Sequence, residues 1–333
     1  MGDRELSDAL AEGWGMGMAA VRYAPVGGGS YHWIVRDRAG RAWFATVDDL
    51  DQKPWLGKTR DAAAEGLSRA MELVVALRYE AGLPFVLAPV PARNGAAIVR
   101  LGCAYAVTVF PYLRGATGRF GQELPQPERN QLVDMLAALH SADPGAAGAP
   151  RHEIALARRS DLEAAVSQLG QPWDGGPLSE PARALLKAHA EKVGHLLARF
   201  DRLTGRVTAL DPVITHGEPH PANVLTAALT REGDPPNPPR TETLLIDWDT
   251  VALAPPERDL WWIISDSSGE EARRYSHATR RPVDPAALVL YRLRWALDDL
   301  SIFTGRLRSA HTRTADAENA LRALEITLAG APG

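Results

Sequence analysis

Two apolar segments that each run into a group of polar side chains constrain the fold of this chain most. The first, Val213–Asn223, reads VITHGEPHPAN, and the second, Leu244–Asp249, reads LLIDWD. The polar half of the first segment holds His216, Glu218, His220 and Asn223. The second segment delivers Asp247 and Asp249. Short apolar runs that end in such groups are typical of buried strands whose ends present functional side chains.

The chemistry of these side chains is that of a magnesium site that acts on a nucleotide. Asn223 and Asp247, an amide and a carboxylate at neighbouring strand ends, would hold Mg²⁺ through hard oxygen atoms. Glu218, in the intervening loop, would orient a hydroxyl group for attack on phosphorus. Asp249 would either approach a second metal position or hold the loop, and both roles stay open.

The spacing of His216 and His220 also fits the His-x-x-x-His pattern of a zinc-binding helix. Gly217, Pro219 and Pro221 lie within or beside that spacing. Proline removes a backbone donor and clashes with the preceding turn in a helix interior. A continuous helix is therefore excluded here, and the zinc-protease interpretation fails with it.

The two segments resemble the catalytic core of the aminoglycoside phosphotransferase family, a small-molecule branch of the protein-kinase fold. The loop of that family reads His-Gly-Asp-x-His-x-x-Asn, and its metal-binding aspartate follows an isoleucine on the next strand. The matching positions are His216, Gly217, His220, Asn223, Ile246 and Asp247. Glu218 departs from the pattern, because the family normally has its catalytic aspartate at this position.

The resemblance implies an α+β, bilobal, protein-kinase-like fold with a small β-rich N-lobe and a larger, mainly helical C-lobe. We expect residues 1–109 to form the nucleotide-binding lobe, residues 110–115 the hinge, and residues 116–333 the catalytic and substrate-binding lobe. By the same resemblance His216 braces the catalytic loop through hydrogen bonds. His220 is structural rather than catalytic, and Asp259 bonds backbone amides or capping groups.

Glu218 is the candidate base, and its side chain is one methylene longer than the aspartate it replaces. Pro219 disfavours α conformation at Glu218, which would re-aim the longer side chain toward the same point. The alternative is a non-catalytic replacement in a nucleotide-binding pseudokinase that transfers nothing.

The nucleotide-binding residues of the first lobe match the family pattern at fewer positions. By resemblance the glycine-containing loop would be Gly27, Gly28, Gly29 and Ser30, whose backbone amides would approach phosphates closely. The family's phosphate-binding lysine lies late in a strand that matches Trp43–Val47, where this chain has Thr46. No lysine occurs before Lys53, so Lys53 or Lys58 would reach the phosphates from the next loop.

Further partners of the nucleotide are expected on the following elements. Glu65 or Glu72, on the helix after that loop, would pair with the substituting lysine. Phe110 and Tyr112 lie in the predicted hinge and would contact the nucleobase, chiefly through main-chain groups. The cofactors are therefore expected to be ATP or GTP, together with Mg²⁺.

Hydrophobic periodicity predicts a β-rich first third and a helical remainder. The predicted strands are Ser30–Val35, Arg41–Val47, Phe85–Pro91, Ala96–Leu101 and Ala104–Tyr112. The predicted helices are Arg60–Ala81, Pro127–His140, a long helix from Ser179 through Phe200, and Pro285–Leu300. Only the two motif segments interrupt these later helices, and Arg231–Thr243 between them is predicted to be an enlarged hairpin loop.

Composition excludes several classes of protein. The net charge of −4 and the lack of a dense Lys/Arg tract give no basis for nucleic-acid binding. No apolar run is long enough for a signal peptide or a membrane span, so a cytoplasmic protein without a membrane partner is expected. The single cysteine fits a reducing compartment. The sequence does not indicate an oligomeric state.

The leading hypothesis is therefore an ATP-dependent phosphotransferase that acts on a hydroxyl group of a small molecule, an aminoglycoside-like or related antibiotic. A pseudokinase would bind ATP without consuming it. A metallohydrolase would hold transition metals with His216, His220, Asp247 and Asp249, and would need no ATP. Acidic candidates for acceptor binding, none preferred over the others, are Asp266, Glu270, Glu271, Asp298 and Asp299.

Overall fold

The computed structural model describes residues 2–26, 29–143, 149–207, 211–229, 240–265 and 268–330. The helices in chain order are α1 Asp3–Trp14, α2 Arg60–Tyr79, α3 Gln126–His140, α4 Arg159–Ser167, α5 Ser179–Ala188, α6 Ala190–Val207, α7 Glu257–Leu260, α8 Glu270–Thr279, α9 Pro285–Arg308 and α10 Ala315–Gly330. The strands are β1 Met18–Tyr23, β2 Ser30–Asp37, β3 Ala42–Asp49, β4 Val99–Leu101, β5 Tyr105–Pro111, β6 Gly115–Thr117, β7 Val213–Thr215, β8 Val224–Leu229, β9 Arg240–Leu245 and β10 Ala252–Ala254.

Contacts between Cα atoms divide the chain into two compact units. The first comprises Met1–His152, Pro212–Ile263 and Ser268–Arg281. The second comprises Glu153–Asp211, Ile264–Ser267 and Pro282–Gly333. The candidate catalytic residues of the motif all belong to the first unit. The predicted division into lobes at residues 109 and 116 remains a prediction.

The first unit begins with an antiparallel five-stranded sheet in the order β1-β2-β3-β5-β4. The β2–β3 hairpin turns where the Asp37 carboxylate accepts the backbone N–H groups of Ala39 and Arg41. Gly40 completes the turn with a positive φ of 82°, which glycine adopts without steric cost.

Alternation along the strands gives this sheet one apolar and one polar face. Side chains of Trp33, Val35, Ala45 and Val47 pack in one core cluster with residues of α1. The intervening residues of β2 and β3, Ser30 and His32 with Thr46 and Asp48, lie on the opposite face, where Ser30 pairs with Asp48 and His32 with Thr46. The sheet therefore has a polar face opposite its apolar core.

Short strands position the motif later in the first unit. β7, which leads into the loop of His216, pairs antiparallel with β10. β8 and β9 form a hairpin extended by β6. The loop after β7 and the loop after β9 therefore carry the motif side chains.

The second unit is helical where it is described. Apolar faces of α4, α5, α6, α9 and α10 share one core cluster. The longest of these helices, α9, begins where the Asp284 carboxylate accepts the backbone N–H groups of Ala286 and Ala287, a favourable N-cap.

Several predicted elements are confirmed. The hairpin of Ser30–Val35 and Arg41–Val47 is β2–β3, and Arg60–Ala81 corresponds to α2. Ala104–Tyr112 corresponds to β5, Pro127–His140 to α3, and Pro285–Leu300 to the first part of α9.

Other predicted elements are wrong. Phe85–Pro91 is not a strand, because prolines interrupt it, and only Val86 forms an isolated bridge, with Leu245. Ala96–Leu101 contains only the short strand β4. The long helix from Ser179 breaks at His189, whose ring bonds the carbonyl group of Leu185.

The region around the motif holds more strands than predicted, since β6, β8 and β10 accompany the two expected segments. The polar segment Arg231–Thr243 ends in β9, which begins at Arg240, and residues 230–239 lie outside the described ranges. Helices α1 and α10 and strand β1 were not predicted. The α+β class itself is confirmed: a β-sheet region is followed by a mainly helical remainder.

Among the described helices, none has both the length and the apolar character needed to cross a membrane.

Candidate active site

Asp259 anchors the loop after β7, which carries the candidate base. Its carboxylate is fully buried and accepts the backbone N–H groups of His216 at 2.7 Å and Gly217 at 2.6 Å. Nε2 of His140 lies 3.1 Å from the same carboxylate. Burial alone would raise the pKa of Asp259, but the hydrogen bond and charge of His140 and the charge of Arg258 outweigh it and lower that pKa. The predicted bonding of Asp259 to backbone amides is confirmed.

Arg258, which directly precedes Asp259, is a second buried anchor. Its Nη1 donates to Oγ1 of Thr215 at 2.7 Å, and its Nη2 donates to the carbonyl oxygen of Thr250 at 2.8 Å. Thr250 in turn donates its hydroxyl to the carbonyl oxygen of His216. Arg258 thus joins β7 to the turn that follows Asp249.

Gly217 is required at its position by both conformation and space. Its φ is +103°, and a Cβ atom there would lie 2.5 Å from Nη2 of Arg258 and 2.6 Å from Oγ1 of Thr250. A side chain would therefore strain the backbone and push against the Arg258 anchor, immediately before the candidate base Glu218.

We expect Gly217→Ala to lower the free energy of unfolding by about 1–3 kcal/mol, the usual cost of such backbone strain. Urea denaturation followed by circular dichroism measures the change. Gly194→Ala in α6 is the matched control, because a Cβ atom at that position would meet no neighbouring side chain or loop within 4 Å. That control should stabilise the helix slightly. Equal behaviour of the two variants would contradict the role assigned to Gly217.

His216 is a neutral brace. Its Nε2 donates to the carbonyl oxygen of Ile246 at 2.9 Å, and its Nδ1 lies 3.3 Å from the backbone nitrogen of Glu218 and accepts from it. Burial lowers the pKa of His216 to about 4, which keeps the ring uncharged near neutral pH. Both ring nitrogens are engaged with backbone groups, so the predicted bracing role is confirmed. This geometry does not support the metallohydrolase hypothesis, which needs His216 as a metal ligand.

Asn223 joins the two motif loops. Its side-chain Nδ2 donates to the backbone carbonyl oxygen of Glu218 at 3.0 Å. Its backbone carbonyl oxygen accepts the backbone N–H of Ile246 at 3.0 Å. The first bond ties Asn223 to the candidate base, and the second places it beside the residue that precedes Asp247. Asp247 has a positive φ of 64°, a conformation that aspartate tolerates better than most residues and that often marks functional positions.

The carboxylate of Asp247 lies among like charges. Its side chain keeps contact with solvent, yet the surrounding protein and then the charge of Asp249 raise its pKa. Glu218 and Asp48 act in the same direction, and Lys53 opposes them. Charged side chains of both motif loops therefore influence the pKa of one carboxylate, that of Asp247.

The surroundings of the Asp247 carboxylate suit a hard divalent cation. The side-chain oxygens of Asn223 and Asp247 are donors of the kind Mg²⁺ prefers, and an accessible carboxylate with a raised pKa is stabilised by a nearby cation. Among the described residues, no three His, Cys, Asp or Glu side chains are grouped as metal ligands. A magnesium ion here would therefore complete its shell with water and phosphate oxygens, which is its usual habit.

The carboxylate of Glu218 is accessible to solvent. About 35% of its side chain is exposed, and its Oε2 lies 3.9 Å from Nε2 of His220. A carboxylate that is partly open to solvent and beside a cation site can receive the proton of an incoming hydroxyl group.

Aromatic rings that were not predicted line the same loop. The ring of His220 lies 5.1 Å from that of Phe120 and 5.1 Å from that of Trp262. Trp262 donates its Nε1–H to the carbonyl oxygen of Gly217, and Phe120 is 59% exposed. An aromatic surface therefore stands next to Glu218. Sequence periodicity offered no signal for it, since its members are far apart in the chain.

Lys53 lies against polar side chains of the first sheet, and its role as a substitute for the strand lysine remains a prediction. Its Nζ contacts Asp48 Oδ1 at 2.8 Å and Asp249 Oδ2 at 2.6 Å. Burial alone would lower the pKa of Lys53, but Asp249 and Asp48 outweigh it and raise that pKa. Asp249 therefore holds a lysine in this structure.

The predicted pairing of this lysine with Glu65 or Glu72 is wrong. Glu65 lies 3.6 Å from Arg69, and Glu72 accepts the hydroxyl of Ser68, because both carboxylates have nearer partners on their own helix. Lys58 is exposed.

The remaining predicted nucleotide-binding residues are placed only in part. Gly27 and Gly28 lie outside the described residues, as does Asp266 among the acidic candidates. Gly29 has a φ of +87° in the connection between β1 and β2. The hydroxyl of Ser30 is engaged with Asp48 and Lys53.

The two predicted hinge residues lie at the end of β5 and just beyond it. Phe110 pairs with Phe44 of β3. Tyr112 uses its backbone N–H to bond the carbonyl oxygen of Ala42. Their contact with a nucleobase remains a prediction.

This chain is similar to known proteins along most of its length. The model of a family described as "Phosphotransferase enzyme family" matches residues 24–291. Protein StrN of Streptomyces griseus is 28% identical over 316 residues, which cover 90% of this chain and 83% of that protein.

Solved structures share the fold at low sequence identity. A spectinomycin phosphotransferase, APH(9)-Ia, in complex with ADP and spectinomycin, is 16% identical with a TM-score of 0.73, covering 98% of this chain and 94% of that one. A microcompartment-associated aminopropanol kinase is 17% identical with a TM-score of 0.62, covering 98% of this chain and 95% of that one. The predicted protein-kinase-like fold is thereby confirmed.

Proposed function

This chain belongs to the phosphotransferase enzyme family, and on that premise we propose that it transfers the γ-phosphate of ATP, or of GTP, to a hydroxyl group of a small molecule, an aminoglycoside-like or related antibiotic. The observation that carries the proposal is the link between the two motif loops. Asn223 bonds the backbone carbonyl oxygen of Glu218 and the backbone N–H of Ile246, which links the loop of the candidate base to the residue before Asp247.

Each of these residues has a distinct part in the proposed reaction. Asp247 and Asn223 would hold Mg²⁺, which when bound would neutralise the charge that develops on the transferred phosphoryl group. Glu218 would accept the proton of the acceptor hydroxyl group as it attacks. Positioning and charge neutralisation dominate such reactions, and this fits a loop that is held rigidly by Asp259.

The nucleotide would lie against the polar face of the first sheet. Lys53 would contact its phosphates, together with backbone groups of Gly27–Ser30. Main-chain groups near Phe110 and Tyr112 would contact the base. Since the hydrogen-bonding groups that separate ATP from GTP are not defined by these residues, both nucleotides belong in any assay.

Two observations guide the choice of acceptor for this enzyme, which we place in the cytoplasm. The spectinomycin phosphotransferase with the same fold was crystallised with an aminocyclitol antibiotic. The aromatic surface of Phe120, His220 and Trp262 stands beside Glu218 and suits the apolar face of a ring-shaped molecule. Aminocyclitols and aminoglycosides are therefore the first acceptors to test.

The alternative function is that of a nucleotide-binding pseudokinase, and the observation behind it is Glu218 in the place of the family's aspartate. An ATP-to-ADP screen across aminocyclitols, aminoglycosides, peptide antibiotics and small hydroxylated metabolites separates the two. Phosphorylated product detected by mass spectrometry supports the transferase. Nucleotide binding without turnover for every acceptor supports the pseudokinase.

We expect Asp247→Asn to remove most of the Mg²⁺ dependence of nucleotide binding, because the amide carries no charge for the cation. Isothermal titration of ADP with and without Mg²⁺ measures this dependence. Asp201→Asn, in a surface ion pair with Arg159, is the control and should bind as the wild type does. A variant that retains the full effect of Mg²⁺ would show that Asp247 is not the metal ligand.

A further inference from the structure

Lys53 is held by a closed group of three side chains, all of them largely buried. Its Nζ lies 2.8 Å from Asp48 Oδ1, 2.6 Å from Asp249 Oδ2 and 2.9 Å from Ser30 Oγ. Ser30 also donates its hydroxyl to Asp48 Oδ1 at 2.7 Å. The contacts with Ser30 and Asp249 are hydrogen bonds and the contact with Asp48 is an ion pair, so three oxygen atoms surround the ammonium group.

Asp48 and Ser30 are fixed by the sheet. They are paired residues of β3 and β2, and their side chains bond each other. Lys53 enters from the loop after β3, where the backbone N–H of Leu50 bonds Ala104 and the carbonyl oxygen of Lys53 accepts the N–H of Leu56. The position of the ammonium group is therefore set by the sheet and not by carboxylates of α2, whose Glu65 and Glu72 bond within their own helix.

Asp249 is a different kind of partner from Asp48. The Asp249 side chain is 14% exposed, whereas those of Asp48 and Lys53 are each 4% exposed. Asp249 follows Asp247 by two residues and adds to the negative charge there. Among the residues that the structure describes, Asp48 has a second side-chain hydrogen bond, from Ser30, that would hold it in place if Lys53 moved, and Asp249 has none.

We propose that Asp48 is the positioning residue of the nucleotide phosphates: it keeps Lys53 at the end of β3, while Asp249 releases one N–H of that lysine to the phosphates. This inference rests on the proposed function. Three oxygen atoms already lie within 2.9 Å of Lys53 Nζ, so a phosphate oxygen can take a place beside it only if one partner leaves. Asp249 is the partner that leaves, because it is the more exposed carboxylate. Asp48 remains and supplies the negative charge that a buried ammonium group needs.

The inference gives Asp48 and Asp249 opposite effects on ADP binding without metal. Asp48→Asn should weaken ADP binding by about tenfold or more, the scale of one charge-assisted hydrogen bond lost through a misplaced lysine. Asp249→Asn should strengthen it, because Lys53 loses the partner that competes with phosphate. Isothermal titration in the presence of a chelator measures both, on the full-length protein.

Adenosine is the probe that separates positioning from general damage. It lacks phosphates, so its affinity should be the same in wild type and Asp48→Asn. Asp51→Asn, an exposed residue paired with Arg60, is the matched control and should leave both affinities unchanged. Ser30→Ala, which removes the bond to Asp48 and leaves no buried charge behind, should weaken ADP binding less than Asp48→Asn and provides the test if that variant does not fold.

Lys53→Met should weaken ADP binding as Asp48→Asn does, and the double variant should be no worse than either single one. Equal losses for adenosine and ADP, additive losses in the double variant, or weaker ADP binding by Asp249→Asn would overturn the inference. Wild type that phosphorylates an acceptor while Asp48→Asn binds ADP normally would overturn it and leave the proposed function standing. Wild type that binds no nucleotide would overturn both.

Discussion

Glu218→Gln is expected to lower kcat for phosphoryl transfer by about 10²–10⁴-fold, the usual contribution of a general base. The amide keeps the size of the side chain but cannot accept the proton of the acceptor hydroxyl group. The affinity for ADP should change little, because Glu218 lies on the acceptor side of the proposed metal ligands. Steady-state kinetics with the acceptor found in the screen, and titration with ADP, measure the two effects.

Two further variants sharpen this test. Glu218→Asp restores the residue usual in the family and retains a carboxylate, so it should keep more activity than Glu218→Gln. Glu163→Gln, on a surface ion pair with Arg159, is the control and should behave as the wild type. Full turnover by Glu218→Gln would show that the base has been assigned to the wrong residue.

Asp259→Ala is expected to lower the free energy of unfolding by about 3–5 kcal/mol, as is typical when one partner of a buried charged network is removed. The backbone N–H groups of His216 and Gly217 would lose their acceptor, and the buried guanidinium of Arg258 would lose a nearby negative charge. Urea denaturation at pH 7 measures the loss. Asp134→Asn, in an exposed pair with Arg274, should cost at most about 1 kcal/mol.

The loss should also depend on pH in a definite direction. The pKa of Asp259 is lower in the folded protein than its usual value, so its charged form is favoured by folding. The stability that it contributes is fully present above the unfolded pKa of about 3.9 and is lost as the pH falls through the lower, folded value. The difference in unfolding free energy between wild type and Asp259→Ala should narrow as the pH falls below about 4. A gap that stays constant into that acidic range would contradict the role of the charge.

Part of the candidate site could be predicted because it is local in sequence. The order His216, Gly217, Asn223 and then Asp247 predicts which side chains follow which strands, and the structure joins these loops through backbone bonds. Prolines and glycines around His216 excluded a helix by covalent geometry alone. The prediction for Asp259 succeeded because the resemblance supplied a partner that local patterns do not indicate.

The pairing of the lysine could not be predicted in this way. Lys53 and Asp249 are 196 residues apart, and no periodicity links a loop after β3 to a loop after β9. The predicted partners, Glu65 and Glu72 of α2, bond neighbours one turn away in the structure. The aromatic surface of Phe120, His220 and Trp262 could not be predicted either, because its members are far apart in the chain.

By itself the sequence determined the α+β class, the family resemblance, and which residues of two short segments carry carboxylate, amide and imidazole groups, since these depend on residue type and local spacing. Only the tertiary structure decided that Asp48 and Asp249 enclose Lys53, that Arg258 bonds Thr215 and Thr250, and that Asp247 lies among like charges. The physical reason is that hydrogen bonds and Coulomb interactions depend on distances of a few ångströms in space. Such distances between residues far apart in the chain arise only when the strands and loops have packed together.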